Sequence, residues 1–537
     1  MPFQMLFIAL SLLAPLLLSS LASSPLSCSP NTESWCKKTP YPQPCHYRMC
    51  SNTNSFATKQ EPEFRKKSVQ IALDQVLRDQ SQSTTRLTQQ SWHHKNTTAS
   101  TGCLELYQDT IIRLNHTTEN CGQSGNLDTQ TWLTAALTNL ETCRTSYMEL
   151  DVRENRPLLS NNVFNLINNI LAVNKVTLKK TTHHINRRKK LEANNVGSTS
   201  LMANLVVAKD GSGDFKKIKK EVNVASKRKE TDERFVIYVK AGTYKEKVVI
   251  GHKGKNITMV GDGIGKTIVT GSDSKNGGYT TFKSATFAVN GDGFIAQDMT
   301  FRNTAGPSHG QAVALRSGIY SRTTQHKTNT ITAQSRINAN QTSGIVIHNS
   351  RVIAAPDENP VRDSVRTFLG RPWRDYSRTV FLETFLDNLI DPAGWLAWNN
   401  ESDLSTLYYG EYENEGPGSS TENRVKWSGY HVINKSCEAS EFAVSNFLAG
   451  DSWLPSTGVP YDSTCTTCRK AVEEVYYRRS PTSSPSIKSK IMETKGSAGG
   501  VIVLGVAVVA NGNLQVPLIL YGLDEKFNQS MKDASGQ

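Results

Sequence analysis

The hydrophobic periodicity of this chain changes once, near Asn204, and that change constrains its fold more than any other feature. Before it, apolar residues recur at helical spacing: Val69, Ala72, Leu73, Val76 and Leu77, then Leu133, Ala136, Leu137 and Leu140. Each set falls along one side of a 3.6-residue helix, and Asp128 stands where the second helix needs an N-cap. After it come short β-rich runs: Phe235–Val239, Ile257–Val260, Thr286–Val289, Ala312–Leu315, Gly344–Ile347 and Thr379–Leu382. Gly, Asp and Asn turns separate them. Many recur at intervals of roughly 20–30 residues, which suits a coiled β-solenoid. A β-sandwich gives similar runs, so periodicity leaves both architectures open. The 537 residues leave room for several domains, at ~150 residues each.

The ends and the charge narrow the compartment and the partner. An apolar run from Leu6 to Leu18, followed by Ser19-Ser20-Leu21-Ala22-Ser23-Ser24, predicts a secretory signal peptide over residues 1–24 with cleavage near Ala22. A membrane anchor needs ~20 apolar residues, so no stable membrane span is expected. Ten cysteines suit an oxidising compartment. Asn-x-Ser/Thr acceptors at Asn96, Asn115, Asn256, Asn340, Asn400, Asn434 and Asn528 agree with secretion. A net charge of +13 favours a polyanionic partner. In an extracellular protein that excludes nucleic acid and points to an acidic polysaccharide. Residues 179–203 are polar and basic, with Arg187-Arg188-Lys189-Lys190 at their centre, and read as a linker with a protease processing site.

Several motifs carry a family resemblance. Leu369-Gly-Arg-Pro-Trp373 lies inside Arg366–Val380, and upstream stand Gln311-Ala-Val-Ala-Leu-Arg316 and Ala208-Lys-Asp-Gly-Ser-Gly-Asp-Phe215. Residues 204–461 resemble plant pectin methylesterases. Thr39-Pro-Tyr-Pro-Gln-Pro-Cys45 and Thr131–Cys143 are similar to the pectinesterase and invertase inhibitor domain, over residues 26–178. The resemblance implies a mixed fold: an N-terminal four-helix bundle, inhibitor-like, followed by a right-handed parallel β-helix. It also implies the disulfides Cys36–Cys45 and Cys103–Cys143, leaving Cys28, Cys50 and Cys121 over. The localisation it implies is the plant cell wall, and the partner is methyl-esterified homogalacturonan. A subtilisin-like protease is implied at the 187–190 cluster, and intramolecular inhibition by the N-terminal domain. No metal or organic cofactor is implied, because the chemistry is carboxylate-based. Residues 462–537 do not resemble the family. Within them Cys465-Thr-Thr-Cys468 reads as a local disulfide or free thiols, and Val501–Ala510 is apolar but too short to cross a bilayer.

Hydrolysing a galacturonate methyl ester needs a nucleophile, a proton donor for methanol and donors for the oxyanion. In the family an aspartate attacks, a second aspartate acts as acid and base, glutamines hold the oxyanion and an arginine clamps the nucleophile. By motif, Arg371 matches the clamping arginine, Trp373 the sugar-stacking tryptophan, Gln311 one oxyanion glutamine and Thr281 a substrate-contacting threonine. The two boxes that supply both aspartates and the second glutamine are absent. After Arg316 come Ser317-Gly-Ile-Tyr-Ser-Arg322 and then Thr332-Ala-Gln-Ser-Arg336, a shortfall of roughly fifty residues, about two coils of a solenoid. Asp109, Asp298 and Asp375 sit in other contexts and none is assigned as nucleophile. The chain is therefore read as a pectinesterase precursor expected to hydrolyse its ester poorly. A pectin-binding family member without activity and an inhibitor acting through its N-terminal helices are the alternatives. A disabled gene or a skipped exon each account for the gap.

Overall fold

The structure is a computed structural model. It describes residues 28–50, 60–88, 94–119, 126–150, 161–174, 203–228, 233–306, 309–317, 328–354, 366–397, 404–447, 450–452, 454, 501–510 and 518–521. The predicted leader, the 187–190 cluster, Cys121, Cys465 and Cys468 lie outside the described residues.

Helices come first: α1 (Pro30–Lys37), α2 (Pro42–Cys50), α3 (Glu61–Thr88), α4 (His94–Glu119), α5 (Asn126–Glu149) and α6 (Asn161–Val173). Ser29 caps α1, its hydroxyl accepting from Thr32 N. The predicted stripes form the core: Val69, Ala72, Leu73 and Val76 of α3 pack with Leu133, Ala136, Leu137 and Leu140 of α5. Leu77 departs from expectation and is 44% exposed. At ~100° per residue it lies about 80° round the helix from Val69, past the edge of the stripe. Cys36–Cys45 and Cys103–Cys143 are disulfide-bonded as the resemblance implies. A third bridge, Cys28–Cys50, encloses the first. Among the described residues no helix is long and apolar enough to cross a membrane.

The strands then stack in turns of three. β2 (Phe235–Val239), β3 (Gly242–Lys245) and β4 (Val248–Ile250) make one turn. β5 (Ile257–Gly261), β6 (Thr267–Gly271) and β7 (Phe287–Val289) make the next, and β8 (Ile295–Gln297), β9 (Thr300–Asn303) and β10 (Leu315–Ser317) a third. Each strand pairs in parallel with its counterpart in the adjacent turn. β1 (Leu205–Val207) begins the stack on β2, beside helix α7 (Ile218–Ala225). The alternation within each strand turns Val239, Met259, Val269 and Phe287 inward into one apolar core. Further along, β11 (Thr328–Gln334) pairs with β13 (Arg366–Pro372). β12 (Gly344–Ala354), β14 (Arg378–Leu382), β16 (Tyr408–Tyr412) and β17 (Tyr430–Val432) form a parallel succession, and β15 (Phe385–Leu386) pairs with β12.

Among the described residues the strand pairing is interrupted between β10 and β11. Among the described residues β10 pairs only with β7, and β11 only with β13. On another face the break is filled. Strands β18 (Val501–Ala510) and β19 (Leu518–Tyr521) enter the sheet in the order β8-β19-β18-β12. β19 runs parallel to β8, and β18 antiparallel to β12. The strands flanking the interruption therefore do not lack partners in this sheet. A C-terminal segment without family resemblance satisfies backbone groups that the shortened stack would otherwise leave unpaired.

Candidate active site

Arg371 sits near the end of β13, registered with Ala333 of β11. The residue before it has no room for a side chain: a Cβ on Gly370 would stand 2.2 Å from Thr332 Oγ1. That hydroxyl donates to Leu369 O at 2.9 Å and ties the two strands together. Pro372 has no N–H to continue the ladder, and the chain turns. Gln334 organises that turn. Its carbonyl accepts from Trp373 N at 3.0 Å and from Ser377 Oγ at 2.5 Å, and its amide oxygen accepts from Arg378 N at 2.9 Å. Gln334 is thus a positioning residue for Arg371 and Trp373. It lies in a segment with no recognisable motif, and only its strand pairing reveals the role.

Thr281 occupies the turn before β7, and Gln311 the connection between β9 and β10. Gln311 O accepts from Lys275 N at 2.8 Å, which sets it against the 274–281 loop. Gln311 and Arg371 therefore fall on opposite sides of the break in the strand stack.

The helices cover this surface. Thr281, Gln311, Arg371 and Trp373 are 0%, 4%, 4% and 5% exposed. Phe282 and Trp373 belong to the same apolar cluster as Leu106, Leu133 and Leu137 of the helical region. Polar contacts frame that cluster. Thr281 N donates to Glu149 Oε2 at 2.8 Å, Lys283 Nζ meets Glu105 Oε1 at 2.5 Å and Arg374 Nη2 meets Glu141 Oε1 at 2.6 Å. Deeper in, Arg113 forms a two-pronged contact with Asp292, Nη2 to Oδ1 at 2.9 Å and Nη1 to Oδ2 at 3.1 Å.

Electrostatics distinguish the two buried guanidinium groups. Burial works against the charge of Arg113, but Asp292 and Asp109 outweigh it and raise its pKa. At Arg371 burial prevails and pushes the pKa down to about 10, with the Tyr409 phenol opposing. The other carboxylates considered have settings of their own. Asp109 faces Arg113 on α4 and accepts from Asn139 at 2.8 Å. Asp298 holds the β8–β9 turn at φ 55. Asp375 lends its carbonyl to the Thr406 hydroxyl. One cluster among the described residues has metal-ligand spacing, Cys28, His46 and Cys50; its two sulfurs are joined in a disulfide.

A disulfide-bonded helical region thus packs on a parallel strand stack, with Trp373 buried in the contact between them. Comparison with known proteins gives the family. The Pectinesterase family model matches residues 204–321 and 318–451, two segments that meet at the break. The plant invertase/pectin methylesterase inhibitor model matches residues 30–173. Pectinesterase 2 of Citrus sinensis is 46% identical over 509 residues, covering 83% of this chain and 98% of that protein. Probable pectinesterase/pectinesterase inhibitor 17 of Arabidopsis thaliana is 44% identical over 494 residues, covering 81% and 94%. Among solved structures, the pectin methylesterase from carrot is 39% identical, covers 50% of this chain and 99% of its own, and superposes with a TM-score of 0.45. The chain belongs to the pectinesterase family, in the form that carries an inhibitor-like domain ahead of the esterase region.

Proposed function

We propose that this chain is the precursor of a secreted, cell-wall pectinesterase whose esterase region binds methyl-esterified homogalacturonan. The reaction of such an enzyme yields pectate and methanol. The observation that carries the reading is the arrangement around β13. Arg371 and Trp373 are held side by side on a rigid strand end by Gln334, under a removable helical cover. In this reading residues 26–178 form a four-helix bundle and residues 204–461 a right-handed parallel β-helix. Residues 1–24 are the leader and 179–203 the linker, cut at Arg187 to Lys190 by a subtilisin-like protease. The bundle inhibits intramolecularly by burying Trp373.

The residues present divide the work incompletely. Trp373 offers a flat face for a sugar ring, Thr281 a hydroxyl at its edge, Gln311 an amide for an oxyanion and Arg371 a guanidinium for a carboxylate. A guanidinium orients a carboxylate but does not attack a carbonyl, and an amide stabilises an oxyanion only after one has formed. Loss of a nucleophile alone lowers turnover by about a million-fold in other covalent hydrolases. The break between β10 and β11 therefore supports a second reading, a pectin-binding member with little or no hydrolysis. Methanol release from methylated pectin tests both. The cleaved chain should release almost none, and the same chain with the two missing boxes restored should release it readily. Equal rates from the two would overturn this account and require another aspartate to serve. No release from the restored chain would overturn the pectinesterase reading.

A further inference from the structure

An open groove of about 540 Å³ crosses the face formed by β3, β6 and β9, within the ~300–1,000 Å³ usual for ligand sites. Strand register creates it. Lys245 on β3 is aligned with Thr270 on β6, and Thr270 with Arg302 on β9. Parallel strands lie ~4.8 Å apart, so Lys245 and Arg302 stand about 10 Å from each other along one row. The alternate residues Tyr244 and Val269 are buried in the core, which leaves Lys245 exposed and Arg302 partly exposed at the two ends of the row, with Thr270 only 6% exposed between them.

Cations outnumber anions in this groove, and each of its two acids already has partners. Glu246 accepts from the backbone N–H groups of Ile218 and Lys219 at 3.2 and 3.1 Å, holding the start of α7. Asp273 pairs with Lys247 at 2.5 Å. Among the described residues Lys245 and Arg302 form no ion pair. Two buried polar atoms on the lining also lack a hydrogen-bond partner among the described residues: Arg302 Nε and the hydroxyl of Thr286, a residue only 2% exposed. Buried donors left unmade are costly, and both belong to side chains that line the groove. The lining comes wholly from residues 243–304. Among the described residues no part of the helical region lines it, in contrast to Trp373.

We propose that this groove is a second polysaccharide site, specific for unesterified, carboxylate-bearing galacturonan. The inference rests on the pectin reading and adds to it a separate site for the product of the esterase reaction. Lys245 and Arg302 recognise carboxylates, and the threonine hydroxyls recognise sugar hydroxyls. A methyl-esterified stretch is neutral and gains nothing from the two cations. Because the groove stays open while the helices cover Trp373, the uncut precursor anchors to wall regions that are already demethylated.

The test is calorimetric titration of the uncut chain with an unesterified galacturonate oligomer and with its fully methylated counterpart. Binding of the unesterified oligomer should weaken with added salt. Lys245→Glu and Arg302→Gln should each weaken it about tenfold, as expected for a lost charge-assisted hydrogen bond. Trp373→Ala should leave it unchanged. Lys245 is exposed, so Lys245→Glu is expected to melt as the parent does and serves as the folding-neutral variant. Unchanged affinity in Lys245→Glu, or equal affinity for both oligomers, overturns the proposal. Loss of binding in Trp373→Ala alone also overturns it, placing recognition in the covered site while leaving the pectin reading intact. Failure of the restored chain to release methanol would instead strike the pectin reading and leave these affinities as measured.

Discussion

Replacing Arg113 with alanine should loosen the helices from the strand stack more than any other single change at their interface. Arg113 reaches from α4 to Asp292 across 179 residues of sequence. Both side chains are nearly sealed, 4% and 7% exposed. Arg113 also donates to Asn290 O at 3.3 Å. Removing one partner of such a pair strands the other charge in a buried site, at ~3–5 kcal/mol. The neighbouring pairs Lys283–Glu105 and Arg374–Glu141 keep more contact with water, with the Glu105 side chain 50% exposed, and contribute ~0–1 kcal/mol each. The buried clasp should therefore dominate. Urea unfolding followed by tryptophan fluorescence measures the loss, and quenching of Trp373 by iodide reports its uncovering. The apolar pair Arg113→Met with Asp292→Leu should recover most of the stability, since replacing both charges is often neutral. A cost below ~1 kcal/mol for Arg113→Ala, with Trp373 still shielded, would show that apolar packing alone holds the cover.

Three further outcomes are expected. Glu221 is fully buried on α7, and burial, assisted by Asp214, pushes its pKa from 4.5 up to about 8. The native state therefore holds a proton the unfolded chain has released, and stability should fall as pH rises from about 4.5 to 8, by at most on the order of 5 kcal/mol. Glu221→Gln should flatten that slope in melting curves taken between pH 5 and 8; an unchanged slope would refute the assignment. Arg424→Ala should cost ~3–5 kcal/mol in urea unfolding. It leaves buried Glu411 without its bidentate partner at 2.9 and 3.1 Å, and a loss under about 1 kcal/mol would refute this. Truncation after residue 500 removes β18 and β19 from between β8 and β12, exposing two strand edges. Light scattering should then reveal association of the truncated chain, and a monomer melting with the parent would show that the tail strands do not bind there.

What could be read from the sequence follows from how far apart the cooperating residues lie. Arg371 and Trp373 were legible because one strand end carries both within a single contiguous motif. The helical stripes were legible because helix geometry is local, and Leu77 escaped only by lying eight residues from Val69, where the 3.6-residue repeat has rotated it off the face. Connectivity was harder: Cys28 and Cys50 are paired by the fold of α1 and α2, which no count of cysteines contains. Gln334 acts through its backbone carbonyl, which accepts two bonds, and its amide oxygen, so its residue type carries no signature. The tail strands and the Arg113–Asp292 clasp join residues at least 147 positions apart, and nothing in either partner's local pattern names the other. The loss of two coils shows the same division from the other side. As a missing motif it was plain in the sequence, but its structural remedy, a pair of C-terminal strands entering one face of the stack, is defined only by backbone groups that need partners. Strands β10 and β11, which respectively follow Gln311 and pair with the Arg371 strand, receive no such pair among the described residues. The remedy therefore supports the scaffold without rebuilding the site, which is why stability and catalysis are expected to respond separately to restoration of the missing segment.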